Sequence, residues 1–322
     1  MEIKAKQLSF ELQKPFGISR GEKTRAEVIE VTLTDGEHIG FGEAVPYGRY
    51  GDSIQNALSA IAAFAGPVTH ESIANSLPPG AARNALDLAL WDWDAKASGV
   101  PVWEGLGITD PKPIVFGSTI PLQSTERMIS DAIEKSDESV IKVKLGGLDD
   151  MTAIQGIRQA APESELIIDV NEGWTPDQLA EYLPTLESLN ISLLEQPLSQ
   201  EDDKQLQKIS TSIPFCADES LYPGVDIESL RDKYQFINLK LDKSGGLYSL
   251  MKELSRARAL GFGVMVGCMV SSSLGIVPAF YAAQMADYVD LDGFTHLAND
   301  REAGLMLSDG YLHSDKTSWG KP

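Results

Sequence analysis

The sequence predicts an α/β chain, a parallel (β/α)7β barrel of the TIM type preceded by a smaller α+β unit. Three observations carry the prediction. From residue 113 to about 299, eight short apolar runs alternate with amphipathic stretches, the rhythm of strands joined by crossover helices. The first third instead alternates apolar and polar residues about Asp35-Gly36, a hairpin signal. No Gly-rich phosphate fingerprint follows the first barrel run, which weighs against an open doubly wound sheet.

Taken in order, residues 1–112 form the α+β unit. Its clearest strands lie in AEVIEVTLTDGEHIGFGEA, residues 26–44, and read as an antiparallel sheet. A helix is expected over 52–64, capped by Asp52 or Ser53, and a second over 81–98, stopped by Gly99 with Pro101 beyond. The barrel spans 113–299, with strands at PIVFGST, SVIKVKL, ELIIDVN, ISLLEQP, IPFCADE, QFINLKL, FGVMVGC and DYVDLDG. Segments 149–160, 176–189 and 248–260 carry helical periodicity with polar outer faces. The last stretch, 300–322, is expected to pack back on the α+β unit.

Composition narrows the function. In 322 residues there are 47 Asp plus Glu against 27 Lys plus Arg, a net charge of −20. Such a field repels phosphate backbones and anionic lipid, so nucleic acid and membrane surfaces are excluded as partners in favour of a small molecule. The two cysteines, Cys216 and Cys268, are far apart and lack CxxC spacing, as expected in a reducing compartment. The start MEIKAKQLSF lacks the apolar core of a signal peptide, so a cytoplasmic location is expected.

Position singles out the chemistry. Asp169 in IIDVN, Glu195 in LLEQP and Asp218 in FCADES each end one of three consecutive predicted strands. In a barrel those ends share one mouth, where active sites lie. One such acid alone reads best as a helix cap or a surface pair. Three in register repel one another without a cation, and oxygen-only ligation suits a hard metal, Mg2+ first and Mn2+ second. On the preceding strand, Lys142 and Lys144 are two residues apart and share a face, while Ile141, Val143 and Leu145 fill the other. A KxK on a solvated edge is common, but the apolar opposite face argues for a central strand. Two inward ammonium groups raise the cost of charging each other, so one is expected to lose its proton more readily than a free lysine. Across the barrel, NLKLDKSGG offers Lys240 and Lys243. Alternation groups Lys240 with Asn238 and Asp242 and leaves Lys243 with Leu241, so periodicity alone does not choose between them. Lysines on strands two and six flanking a metal suit abstraction of an α-proton on one face and its return on the other, with inversion at carbon.

These residues, KVK at 142–144, DVNEGW from Asp169, LLEQP, CADES and LDKSGG, resemble the enolase superfamily and its muconate-lactonising subgroup. The resemblance implies Asp169, Glu195 and Asp218 as metal ligands, Lys144 and Lys243 as the acid/base pair, and Lys142 as an auxiliary cation, and so favours Lys243 over Lys240. Within the subgroup the chain is similar over nearly its whole length to dipeptide epimerases acting on L-Ala-D/L-Glu, through KPFGISRG, PYGRYGDS, GAARNALDLALWD, GCMVSSS and DLDG. That likeness implies interconversion of L-Ala-L-Glu and L-Ala-D-Glu in salvage of cell-wall peptides, with the N-terminal unit capping the barrel mouth. Asp290 and Asp292 would hold the α-ammonium; DLDG by itself is an ordinary turn. The expected substrate readers are Arg20, Arg25, Tyr50 and Met269, from loops that also hold Lys23, Tyr47 and Arg49, although solvated loop charge is an equal reading of that basic cluster. Other activities of the subgroup would use the same lysines: o-succinylbenzoate synthesis, N-acylamino acid racemisation and muconate cycloisomerisation. A non-catalytic metal-binding barrel is the remaining alternative, and an oligomer is compatible with all of them.

Overall fold

A computed structural model describes residues 1–322 and has two layers of organisation. Strands β1 (Glu2–Ile18), β2 (Gly21–Thr34) and β3 (Ile39–Ala44) form an antiparallel sheet in that order. The alternation in β2 puts Val28, Ile29, Val31 and Leu33 out of solvent. Helices α1 (Ile54–Ala63), α2 (His70–Ser76) and α3 (Ala81–Ser98) follow, and then the single turn α4 (Val102–Gly105). Ser53, not Asp52, caps α1 by accepting from the Asn56 amide, while Asp52 reaches across to the Ala81 amide that starts α3. Helix α2 escaped the sequence reading because seven residues give too little periodicity to see.

Helix α3 is buried nearly all round, the signature of a helix between two cores. Ala85, Leu86, Ala89 and Leu90 belong to the core under the N-terminal sheet, whereas Leu88 and Ala95 belong to the barrel core. Its contact with β3 is backbone-close: a Cβ on Gly40 or Gly42 would lie 2.1 Å from a carbonyl oxygen of α3.

After β4 (Ile114–Val115) come the eight barrel strands, all parallel: β5 (Gly117–Ile120), β6 (Val140–Lys144), β7 (Glu165–Asp169), β8 (Ile191–Glu195), β9 (Phe215–Ala217), β10 (Phe236–Lys240), β11 (Gly263–Gly267) and β12 (Tyr288–Asp290). Helices α5 (Thr125–Glu134), α6 (Asp150–Ala160), α7 (Pro176–Ser188), α8 (Leu241–Ser244), α9 (Leu247–Ala259) and α10 (Ser273–Ala283) lie between them. Two connections carry only 3-10 turns, Asp203–Lys208 and Ile227–Leu230, where continuous helices were expected. The seam between β12 and β5 is bridged by a side chain, with Asp292 Oδ2 accepting from the Thr119 amide at 2.8 Å. Finally β13 (Met306–Ser308) and β14 (Tyr311–His313) pair with β4, and Trp319 Nε1 donates to the Phe41 carbonyl. No helix is long and apolar enough to cross a membrane.

Candidate active site

Strand alternation builds the mouth of the barrel. Asp169 and Glu195 are the last residues of β7 and β8, and Asp218 follows β9 directly. Register places Lys144 beside Asp169 and Asp169 beside Glu195. Ile141, Val143 and Leu145 pack outward under the helices, which forces Lys142 and Lys144 inward. Lys142 Nζ lies 2.6 Å from Glu195 Oε2, 2.6 Å from Asp290 Oδ2 and 3.1 Å from Asp169 Oδ2, while Lys144 Nζ lies 2.5 Å from Asp169 Oδ2. On the far side Lys240 Nζ is 2.9 Å from Asp218 Oδ2, and Lys243 Nζ is 2.6 Å from Asp218 Oδ1 and 2.7 Å from the Asp218 carbonyl. Both candidate amines therefore reach one carboxylate. The chain leaves extended geometry at Leu241 and turns helical, so alternation no longer governs where Lys243 points.

Charge balance decides protonation. Burial raises Asp169, but Lys144 and Lys142 outweigh it and hold the carboxyl at about 2. Burial likewise opposes the charge on Asp218, which Lys240 and Lys243 hold well below the carboxylate range. Glu195 is pushed up to about 7 by burial and by Asp169, with Lys142 only partly offsetting them. Lys142 departs from expectation: burial lowers it, yet Asp290, Glu195 and Asp169 hold it well above a free lysine. The reason is that carboxylates, not a second ammonium, are its nearest neighbours.

Several buried oxygens here lack donors. Glu195 Oε2, Glu219 Oε2, Asn171 Oδ1 and Asn238 Oδ1 accept no hydrogen bond, and the first meets Lys142 only as an ion pair. Donor-poor buried oxygen suits a hard cation, so the donor set of Asp169, Glu195 and Asp218 fits a divalent ion in its chemistry. In this arrangement no three acidic side chains converge closely enough to enclose one; Asp169, Glu195 and Asp218 face the lysine amines instead.

Above this layer lies a cavity of about 470 Å³, walled by the barrel mouth and by the N-terminal loops. Lys144, Lys240, Asp218, Asp290, Asp292 and Met269 line it, Asp290 from the end of β12 and Asp292 from the turn beyond. Arg20, Lys23, Arg25 and Tyr50 line the opposite wall. They differ sharply in what they already hold. Arg20 is spent on Glu219 Oε1 (2.6 Å), the Asn171 carbonyl (2.8 Å) and Glu172 Oε2 (3.3 Å). Arg25 sits half in solvent with Glu11 and Ser9. Tyr50 packs edge-on against Tyr47. Lys23 lies, like Arg25, on the exposed part of β2 but has no carboxylate within 4 Å; its Nζ lies 5.5 Å from the Tyr47 ring centroid, and partial desolvation together with Arg20 lowers its affinity for a proton.

Comparison with known proteins now bears on this geometry. Residues 2–107 match the mandelate racemase/muconate lactonizing enzyme N-terminal domain, and residues 126–317 match the enolase C-terminal domain-like family. The chain belongs to the enolase superfamily. It is 39% identical to N-acetyl-D-glutamate racemase of a Pseudoalteromonas species, over 88% of this chain and 92% of that one. It is 35% identical to L-Ala-D/L-Glu epimerase of Escherichia coli K12, over 97% and 99%. A crystal structure of an enolase family member from Agrobacterium tumefaciens with homology to dipeptide epimerases, with bound sodium and L-Ala-L-Glu, superposes with a TM-score of 0.95 at 41% identity, covering 99% of both chains. The dipeptide epimerase of Cytophaga hutchinsonii, solved with Mg and D-Ala-L-Val, gives 0.90 at 28% identity, covering 99% and 94%. Its curated relatives being epimerases and racemases, this enolase-superfamily chain is an isomerase.

The superfamily site also contains residues the sequence reading passed over. Gln196 accepts from the Asp218 and Ser220 amides and donates to Tyr234, tying the Asp218 loop to β8. Glu219 and Asn171 meet Arg20 at the barrel rim. Backbone angles offered no signal beforehand: Asn171, Glu172 and Gln196 sit at φ 46°, 67° and 37°, in left-handed geometry that non-glycine residues adopt at functional turns. His296 stands behind the cavity wall, with Nε2 3.3 Å from Asp292 and its ring 4.6 Å from Phe16.

Proposed function

We propose that this isomerase interconverts L-Ala-L-Glu and L-Ala-D-Glu by transferring a proton between the two faces of the glutamate α-carbon. Lys144 and Lys243 are the acid/base pair. One neutral amine takes the α-proton, the C–H electron pair passes into the adjacent carboxylate as an enolate, and the opposite ammonium returns a proton to the other face. Asp169, Glu195 and Asp218 would hold a divalent ion, Mg2+ or Mn2+, which when bound would supply charge neutralisation to the substrate carboxylate. Lys142 keeps Asp169 and Glu195 from repelling each other, and Lys240 orients Asp218. The Asp290 and Asp292 wall receives the α-ammonium. In this reading Lys23, rather than the engaged Arg20 and Arg25, meets the glutamate side-chain carboxylate, with Tyr50 and Met269 filling the space between. Two free cysteines and peptides of this kind suit cytoplasmic salvage of cell-wall fragments.

One observation carries the reading. A single cavity is lined by Asp290 and Asp292, by an unpaired lysine, Lys23, and by Lys144, with Lys243 one side chain behind the lining on Asp218, a pattern complementary to a molecule with an ammonium at one end and a carboxylate at the other. The 39% identical racemase supports a second reading, with N-acetylglutamate as substrate. That molecule has no ammonium and leaves Asp290 and Asp292 facing an uncharged acyl group, which disfavours it. Purified protein with Mg2+ in D2O is expected to wash deuterium into the glutamate α-position of L-Ala-L-Glu faster than into N-acetylglutamate, read by mass spectrometry. The reverse preference establishes the racemase reading, and no exchange with either substrate or with a dipeptide panel removes the catalytic proposal.

A further inference from the structure

Lys144 and Lys243 stand on very different supports. Lys144 ends a strand paired on both sides, by β5 and β7. Lys243 rides on α8, a four-residue turn, and so short a helix does not hold its own geometry in isolation. Its ends are fastened from outside. At the front, Asp242 Oδ1 accepts from Asn84 Nδ2 of α3 at 2.9 Å and from the Val45 amide at 2.8 Å. At the back, Arg83 of α3 donates through Nε to the Gly245 carbonyl at 3.0 Å and through Nη2 to the Ser244 carbonyl, while its Nη1 is anchored on Ala74 of α2 at 3.1 Å. One turn later Asp87 accepts from the Tyr248 amide at 3.1 Å. The fit is tight enough to explain the two glycines of LDKSGG. Gly245 and Gly246 have φ of +76° and +110°, and a Cβ on them would stand 2.3 Å from Arg83 Nε and 2.4 Å from Asp87 Oδ2.

We infer that α3 of the N-terminal unit holds Lys243 in working position, with Arg83, Asn84 and Asp242 as positioning residues for the half-reaction that Lys243 performs. This rests on the acid/base roles proposed above. The N-terminal unit then does more than wall the cavity: the Asp242 contact joins the Lys243 turn directly to the chain that runs on into Tyr47, Arg49 and Tyr50.

The test separates the two faces. α-Deuterium uptake is measured from L-Ala-L-Glu and from L-Ala-D-Glu separately, with Lys144→Ala and Lys243→Ala showing which isomer each amine serves. Arg83→Gln and Asn84→Ala are each expected to slow exchange from the Lys243-dependent isomer by about 100-fold, the scale of a small misplacement of a reacting group, while exchange from the other isomer stays near wild type. Equal losses on both isomers, or none, overturn the inference. A second readout is independent of turnover. Backbone amide hydrogen exchange over residues 243–248 is expected to accelerate in Arg83→Gln while 140–145 stays protected, and unchanged protection at 243–248 overturns the proposal whatever the substrate proves to be. Wild-type protein that exchanges neither dipeptide isomer counts against the dipeptide reading alone. Should Arg83→Gln not fold, Asn84→Ala and Asp242→Asn carry both measurements.

Discussion

Two layers of the barrel interior, one pleat apart, are built on opposite principles. Ile167, Leu193, Cys216 and Met265 form a dry plug, each at most 2% exposed. Two residues further along the same strands stand Asp169, Glu195, Asp218 and Gly267, the last with no side chain at all. A period of two guarantees that both sets face inward. The lower layer stabilises by excluding water and filling space, whereas buried ion pairs such as those above contribute little net stability once desolvation is counted. Fold and chemistry therefore depend on different layers, and substitutions should separate them.

The sharpest separation is expected from the lysines. Lys144→Ala and Lys243→Ala should each cut epimerisation by about 10²- to 10⁴-fold, the range for removing a general acid or base. Neither leaves a carboxylate alone, because Asp169 keeps Lys142 and Asp218 keeps Lys240. Thermal melts should accordingly show a smaller loss of stability than Leu193→Ala, which empties part of the plug and should cost about 2–5 kcal/mol while sparing the turnover of folded protein. Stability loss in the lysine variants that matches Leu193→Ala erases the distinction.

How much of this was legible beforehand follows from the same geometry. Position at a strand end exposed Asp169, Glu195 and Asp218, and period-two spacing exposed Lys142 with Lys144, because regular strands fix where side chains point. Legibility failed where the chain leaves the strand. Lys240 and Lys243 looked like alternatives because the helical turn at Leu241 was invisible, and both reach Asp218. Lys23 and Arg25 lie on β2 rather than on the expected loop, while Arg20 sits in the β1–β2 turn, which has no period, so nothing in the sequence showed that Glu219 and Glu172, each distant in the chain, would claim Arg20. Nothing in the sequence singled out Arg83 or Asp87 on the 81–98 helix, since their partners lie some 160 residues further on.

A finer break lies in the cavity wall. If Lys23 meets the side-chain carboxylate, Lys23→Gln should lower kcat/KM for L-Ala-L-Glu by about 10- to 100-fold, as expected for losing a charged hydrogen-bond partner, chiefly through KM. A neutral dipeptide of similar size should be affected far less. Equal losses for both substrates assign Lys23 to holding the end of the β1–β2 hairpin rather than reading the substrate.

The smallest effect tests a charge outside the barrel altogether. His70 opens α2 with Nδ1 2.7 Å from Asp87 and Nε2 3.2 Å from Asp94, its ring tilted over Trp91 and stacked on Tyr248. Two carboxylates on two ring nitrogens are both satisfied only by the imidazolium. Burial opposes that charge, but the hydrogen bonds to Asp87 and Asp94 outweigh it and raise the ring from 6.5 to about 9. A group raised on folding stabilises fully below its unfolded value and loses that contribution as pH climbs through the folded one. Urea melts should therefore show His70→Gln less stable than wild type by roughly 1–3 kcal/mol near pH 6, with the gap closing between about 6.5 and 9. A gap that persists unchanged above that window means the pairing is not ionic, and the contact of α2 with α3 then rests on Ile73, the ring stack and the Arg83 bond to the Ala74 carbonyl.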